Sequence, residues 1–189
     1  MNIVKYIIAV GIAIICLGCP ARSLQPLFAE KDLVFNPSLL GIWLDEEGKE
    51  VYRFQRSGER GYEAMLYKDA SQKNPDDRGD TAFYKVQLGQ LGKHWFLDSS
   101  PMRGSNDHHM IAAHIFSRVT LRGDTLRLAS LESDWLRELA ETRRLEVPHV
   151  RIGGEVVLTG STEELQRFVI RFGDDGKAFP EGEKLFRSK

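Results

Sequence analysis

Apolar runs of about eight residues, each announced by a glycine turn, recur along the first half of the chain. KEVYRFQR follows Glu47-Gly48, GYEAMLYKD opens at Arg60-Gly61, TAFYKVQL follows Arg78-Gly79-Asp80, and KHWFLDSS follows Leu91-Gly92. Each run is rich in aromatic and β-branched residues with partial alternation of apolar and polar positions. Short strands at regular spacing, separated by turns, predict an antiparallel sandwich or barrel. The hairpin signal is clearest in IFSRVTLRGDTLRLAS. There Gly123-Asp124 separates Val119 and Leu121 on one arm from Leu126 and Leu128 on the other, as a two-residue primed turn requires. The same turn chemistry accounts for the tripeptides Arg122-Gly123-Asp124 and Arg78-Gly79-Asp80, which otherwise resemble an adhesion motif.

Two helices break this rhythm in the C-terminal third. One is expected after Ser133 as N-cap, with Trp135, Leu136, Leu139 and Ala140 on one stripe and an end near Arg143-Arg144. The second opens with a capping box, Ser161 and Glu164, followed by Leu165, Phe168, Val169 and Phe172 at helical spacing, and it stops at Gly173. HVRIGGEVVLTG between them reads as a further hairpin or strand. An apolar helical stripe must be covered, so both helices are expected to pack on the β-structure.

The N-terminus carries an address. A short polar start with one cation, Lys5, leads into an apolar run from Tyr6 to Leu17, too short to cross a bilayer and broken at Gly18-Cys19-Pro20. Residues 1–18 therefore read as a signal peptide. Leu17-Gly18-Cys19 resembles the end of a bacterial lipobox, with Cys16 in the position where that motif usually has Leu, Val or Ile. The resemblance implies that Cys19 becomes the first mature residue and carries a diacylglycerol. A lipid-anchored protein of the bacterial cell envelope follows, with the outer membrane favoured in a Gram-negative host because Pro20 stands where an inner-membrane retention signal has aspartate. The alternative is that the region around Cys19 is simply removed at cleavage.

Residues 19–35, with two prolines and no period, are expected to form an acylated tether, and residues 36–189 a single domain. The 171 residues from Cys19 onward suffice for one hydrophobic core, which must stand without an internal disulfide because no cysteine follows Cys19. Loss of Lys5 with the signal peptide moves the formal charge from −1 to −2. Acidic and basic residues are mixed throughout, with no basic patch for nucleic acid.

Gly41-Ile42-Trp43, preceded by NPSLL, resembles the Gly-x-Trp opening of lipocalins. In that family a short helical turn and the tryptophan close one end of an eight-stranded barrel. The resemblance implies a mainly β, antiparallel lipocalin-like barrel, in which the arginine laid over the tryptophan falls to Arg127 or Arg151. The layout as a whole resembles uncharacterised bacterial lipoproteins with such barrels.

No nucleophile elbow, Ser-x-x-Lys, His-Glu-x-x-His or phosphate-binding glycine loop is present, so no catalytic residue, cofactor or enzymatic activity is assigned. Asp107, His108, His109 and His114 are the candidate metal ligands, although on a strand His114 would project about 13 Å from the loop holding the others. Three readings follow, in descending order. The barrel takes a hydrophobic or amphiphilic small molecule, lined from a pool of Phe83, Tyr84, Trp95, Phe96, Phe116 and Trp135 in a pocket between sheet and helices. Alternatively, its interior is filled and it serves as an envelope interaction module. Last comes a metal-dependent hydrolase. An empty apolar cavity of several hundred cubic ångströms separates the first from the second.

Overall fold

The computed structural model describes residues 19–68, 81–102 and 112–189. Its strands are β1 (Arg22–Ser23), β2 (Gly41–Leu44), β3 (Glu50–Ser57), β4 (Gly61–Lys68), β5 (Thr81–Leu91), β6 (His94–Pro101), β7 (Ile115–Arg122), β8 (Thr125–Ser130), β9 (His149–Ile152), β10 (Glu155–Leu158) and β11 (Glu183–Arg187). Two α-helices, α1 (Ser133–Glu141) and α2 (Thr162–Phe172), complete the set. β2 to β8 pair antiparallel in chain order, and β11 inserts between β8 and β2 to close an eight-stranded barrel. Closure removes the free edges that an open sheet of this kind would expose.

Cross-strand register sorts side chains by face. Trp43 lies opposite Tyr52, Tyr52 opposite Leu66, Phe54 opposite Ala64, Ala64 opposite Tyr84, Leu88 opposite Leu97, and Val119 opposite both Trp95 and Leu128. These residues belong to one apolar cluster inside the barrel or line its lumen. The intervening positions, Phe96, Phe116 and Ala129, face outward and join a second cluster with Trp135, Leu136 and Leu139 of α1 and Leu165, Phe168 and Val169 of α2. The domain therefore has two cores separated by the barrel wall, and the helices clad the outside of the barrel.

The Gly123-Asp124 hairpin forms as expected, with Arg122 paired to Thr125. Gly153-Gly154 likewise joins β9 to β10, which extends a small three-stranded sheet with β1. At α2 the capping box is complete: Ser161 Oγ accepts from the Glu164 N–H (3.3 Å), and Glu164 Oε2 accepts from the Ser161 N–H (2.8 Å). Gly173 ends that helix with right-handed dihedrals, so its need is for space: a Cβ would crowd His94, and its carbonyl accepts from Arg118 Nη1.

Three expectations are corrected. The N-cap of α1 is Glu132, whose side chain accepts from the Asp134 N–H, and Ser133 is the first helical residue. Glu132 is held extended by its N–H bond to the Ala178 carbonyl and its bridge to Pro20, so the helix turns only after it. The arginine over Trp43 is Arg187, its guanidinium 4.1 Å from the ring centroid, in place of Arg127 or Arg151. Arg187 gains that position because β11 pairs with β2 and sets Arg187 opposite Trp43.

The third concerns residues 20–35, which form a strap in place of a free tether. β1 pairs parallel with β10, the Ser23 and His114 backbones exchange two hydrogen bonds, and Val34 donates to the Leu88 carbonyl. Leu27 and Phe28 are buried in the outer core. Phe28 lies on Gly89, where any Cβ would collide with its ring, so this glycine is a seat cut into β5. The segment shows no period because it meets a different element every few residues.

Candidate functional site

The lumen narrows to a sealed floor at one end. Trp43 is fully buried there, its Nε1–H donating to the Leu39 carbonyl (2.9 Å). Arg187 donates to the carbonyls of Leu40 and Ser38, pinning the turn Pro37–Leu39 beneath the barrel. Gly41 sits at φ 120°, and a side chain on it would press on the Arg187 guanidinium, which explains the first residue of the Gly-x-Trp sequence. Tyr62, also fully buried, ties the floor to Asn36 by accepting from its N–H and donating to its carbonyl.

Above the floor the barrel is open. A cavity of 1490 Å³ runs from Phe54, Ala64, Val86 and Leu97 up to the loop joining β2 and β3 and the start of β11. That volume takes in the open rim at Pro20, Glu132, Asp134, Lys177 and Pro180 as well as the lumen, against roughly 300–1,000 Å³ for an ordinary small-molecule pocket. Its wall changes character with height: aliphatic and aromatic side chains lie deepest, then a band bearing hydroxyls from Ser99, Ser117, Ser130 and Tyr84, then a charged mouth. Ser117 and Ser130, opposite one another on β7 and β8, bond to each other (3.0 Å) and so satisfy themselves within the wall.

At the upper end of this wall Tyr52 of β3 and Glu183 of β11, the two strands that flank short β2, meet, the Tyr52 hydroxyl donating to Glu183 Oε2 at 2.5 Å, with Glu50 Oε2 3.5 Å from the same hydroxyl oxygen. Burial pushes the Glu183 carboxyl above its usual range; the Tyr52 bond pulls it back, while the charges of Glu50 and Asp45 push it further up. Tyr52 is raised too, first by burial and then by Glu183. A raised acid binds its proton more tightly folded than unfolded, so this stabilisation is complete below the ordinary carboxylate midpoint and is lost as pH rises through the higher folded midpoint. Glu183→Gln should therefore lose less melting temperature than the parent between about pH 4 and about pH 7. Equal losses in thermal melts of the two proteins would refute a strained Glu183.

The candidate lining residues divide three ways. Tyr84 lines the cavity, and Trp95 packs lower in the same interior. Phe96, Phe116 and Trp135 belong to the outer core, and Phe83 points away from the barrel, 39% exposed. The layer between sheet and helices, expected to hold a pocket, is instead packed among the described residues, and a groove of about 400 Å³ lies beside α2 at Val147 and Phe168. Adjacent aromatics such as Phe83-Tyr84 and Trp95-Phe96 serve opposite faces, so one member of each pair was bound to leave the lumen.

His114 is on the outer wall, where its Nδ1–H donates to Asp98 Oδ1 (2.7 Å). Asp98, 2% exposed, also accepts the Leu27 N–H through Oδ2, so this pair fastens the strap. Asp107, His108 and His109 lie outside the described residues. Among the described residues no group of three or more potential ligands is placed to hold a metal.

Tyr52 and Glu183 were missed by the sequence reading. Tyr52 was recoverable by carrying the inward position of Trp43 across one hairpin; Glu183 carried no signal, because EKLFR is short and charged and its place in the barrel comes from closure. No known protein family, curated protein or solved structure matches the chain.

Proposed function

We propose that this protein is a lipocalin-like lipoprotein of the bacterial envelope, anchored through Cys19, whose barrel binds an amphiphilic small molecule in its lumen. The observation that carries the reading is the 1490 Å³ cavity: apolar below, polar at the rim, sealed at one end by Trp43 and Arg187. Such a wall solvates a chain at depth and a head group near water. The Gly41-Ile42-Trp43 floor under an arginine supports the lipocalin-like assignment.

The anchor supports the same reading. Cys19 is an exposed free thiol, its carbonyl accepts from the Ser133 N–H, and the next residue, Pro20, lines the cavity. An acyl group on Cys19 would hold the open end of the barrel at the membrane surface, where amphiphiles reside. Among the described residues no helix is long and apolar enough to cross a membrane.

Titration with single-chain amphiphiles should quench tryptophan fluorescence, because Trp95 lies in the interior core, and should raise the melting temperature. A ligand at 100 times its dissociation constant stabilises by about 2.7 kcal/mol. If an anionic, neutral and cationic panel moves neither signal, the carrier reading falls and an envelope interaction module replaces it. Separately, Cys19→Ser should move the protein from the membrane fraction to the soluble one, since stable anchoring needs more than one acyl chain, each contributing about 0.8 kcal/mol per buried methylene. Retention of the serine variant in the detergent phase would refute the anchor.

A further inference from the structure

We infer that the ligand is a cationic amphiphile, its aliphatic chain in the lumen and its amine head seated on Glu183 and Glu50. This inference rests on the lumen being a binding site and specifies what enters it.

The charges at the mouth do not balance. Several of its carboxylates have cations of their own: Glu47 pairs with Lys49, Glu181 with Arg127, and Glu46 with Lys184. Asp45 accepts from the Lys49 and Glu50 N–H groups, and Asp134 pairs with Arg137. Glu183 and Glu50 differ from these: both face the cavity, and neither has an ion-pair partner among the described residues. They share one tyrosine hydroxyl, which has a single proton to donate, and the short bond to Glu183 leaves Glu50 the longer contact.

Two carboxyls brought together at the top of an apolar shaft, with one donor between them, leave acceptor sites for a donor-rich cation. An ammonium has three N–H donors and matches that deficit. A carboxylate or phosphate head would add a like charge beside these two glutamates; of the lysines and arginine that line the cavity, Lys177 alone has no ion-pair partner among the described residues, and it is one cation against the two carboxyls of Glu183 and Glu50. A metal ion would satisfy the carboxyls but leave the apolar wall beneath them unfilled, and most of the exposed surface of the cavity is apolar. Chain and head must therefore belong to one molecule.

The test compares dodecylamine, dodecanol and lauric acid, equal in chain length and kept below aggregation, by tryptophan quenching at neutral pH. Dodecylamine should bind about tenfold or more tighter than lauric acid, equivalent to about 1.4 kcal/mol. The preference should shrink at high salt, because charges near water are screened. Glu183→Gln should bring the amine and alcohol affinities together, chiefly by weakening the amine, and Glu50→Gln, at the strand end, should act in the same direction and carries the test should the first variant fail to fold.

Lauric acid binding as tightly as the amine, or an amine preference unaltered in both variants, would overturn the inference while leaving the carrier reading intact. Failure of all three probes to bind would overturn both.

Discussion

Trp43→Ala should destabilise the domain by about 3–5 kcal/mol, the range for emptying a buried large aromatic site, out of the roughly 5–15 kcal/mol that holds a typical domain folded. The ring is fully buried, its N–H is bonded to the Leu39 carbonyl, and Arg187 covers its face. Alanine removes the surface on which Arg187 rests, so the bonds from Arg187 to the Ser38 and Leu40 carbonyls lose their support as well. Trp43→Phe, which keeps most of the apolar area but loses the indole donor, should fall well short of the alanine effect. Urea denaturation measures both. A loss below about 1 kcal/mol for alanine, the scale of an ordinary surface change, would show that the floor is not the keystone its contacts indicate.

Phe28→Ala should be nearly as damaging, again about 3–5 kcal/mol, although the sequence around it looks like linker. Phe28 is 4% exposed and occupies the seat left by Gly89, next to Leu27, whose N–H is bonded to the buried Asp98. Truncating the side chain leaves a void between strap and barrel, and the strap also covers the outer core on which both helices rest. The variant should therefore show early hydrogen exchange of the Ala21, Ser23 and Val34 amides together with its lower urea midpoint. An unchanged midpoint would mean that residues 20–35 are a tether after all.

The contrast between these two residues explains how much of the fold could be read in advance. Trp43 announced itself because it sits in a local pattern, a tight turn of Asn36-Pro37-Ser38 followed by Gly41-Ile42-Trp43. Phe28 did not, because its partner is Gly89, a distant strand glycine whose meaning is an empty space. Likewise Ser161 and Glu164 were legible as a cap, since both partners of each hydrogen bond lie within one turn. Ser133 misled because a tertiary bond from Glu132 to Ala178 moved the start of that helix by one residue.

The candidate site divides along the same line. Alternation along the strands supplied the aromatic residues but could not say which faced inward, since a shift of one residue exchanges the faces. Closure settled the question: once β11 stood between β8 and β2, Arg187 fell opposite Trp43, and Glu183 opposite Leu128, near Tyr52. The sequence alone determined what depends on neighbours in the chain: strand rhythm, hairpin turns, the α2 cap and the two apolar helix stripes. Only the tertiary structure decided that the helices clad the barrel, that the strap is part of the core, and that the barrel interior stays open above its floor. Those outcomes depend on pairings across the whole chain, which local period and turn chemistry do not encode.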